Sequence, residues 1–257
     1  MKETIEISPF GNNLIYRNFY DRNFIETTIN ERHLSGLKIN TRWENLLNLD
    51  FLSEYDFLES LEIVGKGNID FGFLDNLTRL KILTISVTSS SAINLSKLSK
   101  LEDFTVLWDK GDIFGLELCE SLRSLCLVNY MNSSLVPISI IRNLKSLEIK
   151  TSSIKSLKGI EKLSNLSYLL LGNCVKLKDI QNLENLSMLT DIIFDICPNV
   201  YDYDIIKFLS KLEHIEIIDC NDVKGIEFIK NMPNLKNIQI LGNTKIGGNA
   251  PNRELPQ

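Results

Sequence analysis

A six-residue pattern of hydrophobic and polar positions, apolar-x-x-apolar-x-apolar, recurs ten times along the chain. Its copies begin at Leu34, Leu58, Leu80, Leu101, Leu122, Leu144, Leu166, Leu189, Leu212 and Leu235. Successive copies start 21 to 24 residues apart. Because each copy ends in an alternation of apolar and polar positions, it predicts a short strand with one buried face. The nearly constant period indicates one coil per copy, and each coil buries its apolar side chains only against its neighbours.

The repeats resemble those of the leucine-rich repeat family, whose usual pattern is L-x-x-L-x-L-x-x-N/C-x-L. The copy LKSLEIKTSSIKSLKGIEKLSN, from Leu144 to Asn165, is similar to the short 22-residue repeats of bacterial internalins and phosphatase regulators. The resemblance implies an α/β solenoid, a leucine-rich repeat horseshoe of about ten coils. Its parallel β-sheet would line the concave face, and mostly loops and 3-10 turns would form the convex face.

The repeats also suggest how the chain is divided. Residues 34–246 form the predicted solenoid. A solenoid leaves its core open at each end, so we interpret residues 1–33, which contain several aromatic side chains, as an N-terminal cap. Residues 247–257 lose the pattern and are expected to form a flexible C-terminal tail.

A column of small side chains lies three residues after the last apolar position of the final four copies. Its members are Cys174, Cys197, Cys220 and Asn243. The resemblance implies that these side chains point into the coil and bond to backbone of the turn, as a structural ladder. Metal binding and disulfides are the alternatives. They are less favoured because stacked thiols form a row about 5 Å apart and do not converge on one point, and because the cysteine count is odd.

Charge and motifs narrow the possible functions. A net charge of −5 argues against nucleic-acid binding, which needs a basic face. The chain has no apolar signal region at its start and no run of about 18 apolar residues, so we expect a cytoplasmic protein without membrane contact. We find no catalytic motif, no metal site and no cofactor fingerprint, and therefore predict a protein that is not an enzyme and holds no cofactor.

The non-core positions of the strands and the turns after them should face the concave surface. In the six copies from Leu101 to Leu212 these 24 positions hold six acids and one base, a net charge of −5. Aromatic and apolar side chains among them are of the kind that anchors protein partners. A solvated acidic face is the alternative. The predicted partner-binding residues are Asp103, Trp108, Glu148, Lys150, Tyr168, Leu170, Asp191, Ile193, Asp195, His214, Glu216 and Asp219.

These features favour a non-catalytic module that binds a basic protein partner on its acidic concave face. A bacterial cytosolic inhibitor, such as an immunity protein to a toxin, would have this character; the comparison with ribonuclease inhibitor is an analogy. The alternatives are an adaptor or regulatory subunit that positions an enzyme, and an internalin-like adhesin. We expect a monomer when no partner is bound.

Overall fold

The structure is a computed structural model that describes residues 6–7, 12–44, 46, 48–108 and 113–247. The chain forms two compact units, Met1–Leu125 and Cys126–Gln257. The expected C-terminal tail, residues 247–257, lies outside the described residues except for Gly247.

The first unit contains parallel strands in chain order, each followed by a turn or a short helical segment. The strands are β1 (Asn13–Ile15), β2 (Gly36–Asn40), β3 (Ser60–Ile69), β4 (Ile82–Ser89), β6 (Asp103–Leu107) and the start of β8 (Ser124–Val128). Strands β5 (Ile93–Asn94) and β7 (Ile113–Phe114) form a separate parallel pair. The helices are α1 (Arg22–Glu31) and α2 (Thr41–Glu44), and the 3-10 segments are Asp50–Glu54, Gly72–Asn76 and Leu116–Leu118.

The second unit repeats one simpler coil, a five-residue strand and a 3-10 segment. After the end of β8, its parallel strands follow chain order. They are β9 (Ser146–Lys150), β10 (Tyr168–Gly172), β11 (Asp191–Asp195), β12 (His214–Ile218) and β13 (Asn237–Leu241). The 3-10 segments are Val136–Ile138, Ile160–Lys162, Gln181–Asn185, Asp204–Phe208 and Glu227–Asn231.

The predicted leucine-rich repeat architecture is confirmed, because each copy of the six-residue pattern contains a strand of a parallel sheet. In β10, Leu169 and Leu171 are fully buried, as is Leu166 at the start of the pattern, while Tyr168 and Leu170 are only half-buried. Burying one such leucine contributes about 1.5–3 kcal/mol, so the repeated apolar triplet supplies the core of every coil. The 3-10 segments expected between strands are also present.

The sheet begins earlier than the first copy of the pattern. Strand β1 pairs in parallel with β2, with Asn13 opposite Gly36, and it lies in the segment that we interpret as an N-terminal cap. Helix α1 follows, and the Asp21 side chain caps it by accepting a hydrogen bond from the Phe24 backbone N–H at 2.7 Å. Such a cap stabilises a helix by about 1 kcal/mol.

Left-handed residues follow the strands of the second unit and set the turn. Non-glycine residues with positive φ stand directly after β8 to β12, and Gly242 follows β13. The first five are Asn129, Thr151, Asn173, Ile196 and Asp219. Their backbone N–H groups reach the end of the next strand, as when Asn173 N donates to the Asp195 carbonyl at 2.7 Å. The turn therefore couples each coil to the following one.

Candidate functional site

The exposed side of strands β9 to β12 forms a regular grid within the second unit. We call it the outer strand face and define it by the side chains that point away from the core. Parallel register places these side chains in three rows across the four strands. The rows are Ser146–Tyr168–Asp191–His214, Glu148–Leu170–Ile193–Glu216 and Lys150–Gly172–Asp195–Ile218.

The middle row combines an apolar centre with two acidic flanks. Leu170 and Ile193 stand side by side on neighbouring strands, and Glu148 and Glu216 lie on the strands outside them. Strand neighbours are about 4.8 Å apart, so the two apolar side chains are in contact range. All four side chains are half-buried, which leaves part of each open to a partner.

The field of the outer strand face is negative. It holds four carboxylates and one ammonium, and Lys150 is engaged by Glu148 at 2.5 Å. That hydrogen bond raises the pKa of Lys150 and keeps it protonated. Burial raises the pKa of Tyr168, and the charges of Glu148, Glu216 and Asp191 raise it further. Tyr168 is therefore a neutral phenol among carboxylates at ordinary pH.

The third row has a glycine at its second position. Gly172 lies between Lys150 and Asp195 on the neighbouring strands and has no side chain to fill the gap. A Cβ added there would lie 3.3 Å from Cδ2 of Leu170. Gly172 is itself buried, and the added Cβ would also lie 3.7 Å from Cγ of Lys150, so the side chains of Leu170 and Lys150 cover this position.

The other predicted partner-binding residues lie in the first unit or already contact other residues of the chain. Asp103 begins β6 and Trp108 follows its end, so both belong to the first unit. His214 is in the first row, with its Nε2 4.0 Å from the Glu213 carboxylate. Asp219 has a left-handed backbone conformation with a positive φ. Its Oδ1 accepts hydrogen bonds from the backbone N–H and from Nδ2 of Asn243, at 2.9 and 2.8 Å. That contact links two coils, so part of the Asp219 carboxylate is occupied within the chain.

The three cysteines of the predicted ladder are buried in successive coils. Cys220 Sγ accepts the backbone N–H of Cys197 at 3.3 Å, and Cys197 Sγ donates to the Leu171 carbonyl at 3.3 Å. Hydrogen bonding to Cys174 raises the pKa of Cys197, and hydrogen bonding to Cys197, with burial, raises that of Cys220. The neutral thiols thus replace water as partners of the turn backbone and are poor nucleophiles.

Asn243 does not follow the cysteines into the coil. Its side chain is exposed and donates to Asp219, whereas the next residue, Thr244, is buried. Thr244 Oγ1 accepts the Cys220 N–H at 2.7 Å, the contact expected of Asn243. The physical reason is that the Asp219 carboxylate holds residue 243 outside, so the chain turns inward one residue later.

Sequence reasoning missed a further member of this column. Ser152 is buried, its hydroxyl donates to the Tyr130 carbonyl at 2.6 Å, and it accepts the Ile154 N–H at 3.1 Å. Its position in the repeat was the available signal, because a hydroxyl can replace a thiol as the hydrogen-bonding group of the turn.

The described part of the chain contains no group of three or more His, Cys, Asp or Glu side chains arranged to hold a metal ion. All five cysteines are free thiols. No helix within the described ranges is both long and apolar enough to cross a membrane.

Comparisons with known proteins identify the fold. No family model matches the chain, and no curated protein matches it. Several solved leucine-rich repeat structures match the chain. An internalin, inlF of Listeria monocytogenes, superposes with a TM-score of 0.63 at 22% identity over 86% of this chain, which spans 65% of the inlF chain. The leucine-rich repeat domain of the type III effector XopL gives 0.51 at 21% identity, over 92% of this chain and 78% of that domain.

A plant protein shows the same fold in a receptor. The ectodomain of the Arabidopsis thaliana receptor kinase GASSHO1/SCHENGEN3, solved in complex with CASPARIAN STRIP INTEGRITY FACTOR 2, gives a TM-score of 0.53 at 17% identity. The match covers 82% of this chain and 30% of the ectodomain. At these identities the likeness establishes the leucine-rich repeat fold.

Proposed function

We propose that this chain is a non-catalytic protein-binding module and that the outer strand face of its second unit binds a basic protein. The observation that carries the proposal is the middle row, where Leu170 and Ile193 lie between Glu148 and Glu216. An apolar centre with an acidic border matches the usual plan of a protein interface, in which the centre gives affinity and charged groups at the edge select and steer the partner.

Two further features support a basic partner. Four carboxylates share the face with one ammonium, and that ammonium is already paired with Glu148. A lysine or arginine of the partner would therefore meet uncompensated negative charge beside Asp191 and Asp195. Tyr168, half-buried and kept neutral, offers an aromatic surface of the kind enriched among residues that dominate binding energy.

We also propose a partner-binding role for Asp103 and Trp108, which begin and follow β6 of the first unit, and for His214 in the first row of the second unit. Asp219 would contribute only through the oxygen that is not bonded to Asn243. In this proposal the three buried cysteines only support the face, because their thiols bond to backbone within the coils.

The biological role that fits such a surface best is inhibition of a basic toxin or enzyme by a cytoplasmic bacterial protein. The acidic face and the absence of catalytic motifs in the sequence support it. A regulatory subunit that positions an enzyme would use the same face without blocking activity. The likeness to inlF keeps an internalin-like adhesin as the other alternative. The plant receptor ectodomain, solved in complex with CASPARIAN STRIP INTEGRITY FACTOR 2, supports a binding role in general.

The test compares wild-type protein with Asp195→Lys and with a matched control, Glu184→Lys, in an exposed 3-10 segment away from the strands. Each is immobilised and used to capture proteins from host lysate, which are identified by mass spectrometry. We expect one basic protein to bind wild type and the control, and to bind Asp195→Lys at least about tenfold more weakly. Equal capture by all three would refute the assignment of the face.

The captured protein then separates the roles. If wild-type protein abolishes the activity of the captured protein and Asp195→Lys does not, the chain is an inhibitor. Unchanged or redirected activity identifies an adaptor, and a host-cell surface protein as the only partner identifies an adhesin.

A further inference from the structure

Among the described residues, the last strand of the second unit buries its apolar side chains less completely than the strands before it. Ile238 and Ile240 of β13 and Leu235 before it are only half-buried. Their equivalents one coil earlier, Leu212, Ile215 and Ile217, are all 0% exposed. Nearby, Leu241 and Ile246 are 45% and 52% exposed. In the described part of the chain this strand is last in the sheet order, so this apolar surface borders a strand edge with which no described strand pairs.

The unpaired edge has defined donors and acceptors. Asn237 N donates to the Glu213 carbonyl, and the Leu241 carbonyl accepts from Asp219 N, so residues 237 and 241 bond toward β12. In a parallel ladder alternate residues bond to opposite neighbours. The backbone N–H and C=O groups of Ile238 and Ile240 therefore point away from β12, toward the open edge.

The edge lacks the features that usually keep strands from pairing. Natural edge strands carry lysine, proline or bulges that block an added strand. The segment NIQIL, Asn237–Leu241, has no charge and no proline.

We propose that β13 pairs antiparallel with β13 of a second copy of this chain, about a two-fold axis through Gln239. This arrangement sets Ile238 of each copy opposite Ile240 of the other. The backbone N–H and C=O groups of these two residues, which point toward the open edge, then form hydrogen bonds between the copies. Because the axis is perpendicular to the sheet, the core-facing sides of the two β13 strands lie on the same side of the joined sheet. The exposed apolar side chains of the two copies therefore meet.

Charge selects a second copy over an unlike partner. Two copies of the neutral strand meet without like-charge repulsion, whereas a basic or acidic protein would find no complementary charge on the strand. The proposal replaces the monomer expected from the sequence. It does not depend on the outer strand face, and Asp195→Lys is expected to dimerise like wild type.

Sedimentation velocity over a wide concentration range tests the proposal. We expect wild-type protein to approach twice the 29.3 kDa chain mass as concentration rises. Ile240→Lys places a charge at the edge and should remain at the single-chain mass, while Val175→Lys, the same charge on an exposed aliphatic position away from the edge, should behave like wild type. Circular dichroism checks that each variant is folded.

Cross-linking tests the register independently of folding effects. In a Cys126→Ser background, Gln239→Cys should form an intermolecular disulfide readily, because its Cα would lie about 4.5 Å from its own copy. Asn237→Cys is the matched control, since its copy would lie about 14 Å away along the antiparallel strands.

Three results would overturn the proposal. They are a single-chain mass at every concentration, an unchanged dimer in Ile240→Lys, and equal cross-linking of the two cysteine variants. If wild type stays at the single-chain mass and a lysate protein shields Gln239→Cys from labelling, the edge belongs to a different partner and the two-fold arrangement is wrong.

Discussion

Cys220 joins two neighbouring coils of the second unit through its sulfur, and replacing it by alanine should lower the stability of the protein. The change removes the acceptor for the buried Cys197 N–H and the thiol that donates to the Phe194 carbonyl at 3.5 Å. An unsatisfied buried N–H costs about 1–3 kcal/mol. The void left by one sulfur adds about 1 kcal/mol. We therefore expect Cys220→Ala to reduce the free energy of unfolding by about 2–4 kcal/mol.

Urea denaturation followed by circular dichroism measures this loss, and two variants define its origin. Cys220→Ser keeps an acceptor, as Thr244 Oγ1 does for the Cys220 N–H, so it should recover about half of the loss. Cys126→Ala, at a half-exposed strand position, should change stability by less than about 0.5 kcal/mol. The reasoning is refuted if serine and alanine at position 220 cost the same, or if alanine costs no more than the change at position 126.

Other predictions follow from single positions. Gly159 has a φ of 105°, and an added Cβ would lie 2.7 Å from the Leu135 backbone, so Gly159→Ala should cost at least about 2 kcal/mol in urea denaturation. Gly225→Ala meets nothing within 4 Å and should stay within about 1 kcal/mol of wild type. Iodoacetamide should modify Cys126 first in the folded protein, with the buried thiols reacting only on unfolding, as peptide mass spectrometry would show. Burial raises the pKa of Cys119 from 9.0 to about 11, so the folded chain holds this proton longer and stability should fall as pH rises from 9 toward 11, less steeply in Cys119→Ala.

The repeat pattern was enough to predict the strands, their parallel stacking and the inward-facing side chains. These properties depend on local alternation and on a constant period, both of which are visible along a single chain. The column of thiols was also visible, since Cys174, Cys197 and Cys220 recur at one distance from the last apolar position. The structure places all three in the interior.

The turn after β13 shows where sequence reasoning ended. Counting placed Asn243 in the interior, but Asp219, 24 residues earlier, holds it outside and Thr244 takes its place. Strand β1 was missed for a related reason, because it lacks the repeated pattern and is defined by pairing with β2. In both cases the deciding hydrogen bond comes from another coil.

The sequence by itself determined the repeat, the buried face of each strand and the excess of acidic side chains on the opposite face. Only the tertiary structure decided which of those side chains become neighbours. The row Glu148–Leu170–Ile193–Glu216 exists because backbone hydrogen bonds align four strands in register. The half-burial of Ile238 and Ile240 has the same origin, since their full burial requires a coil on both sides, and among the described strands only β12 pairs with β13.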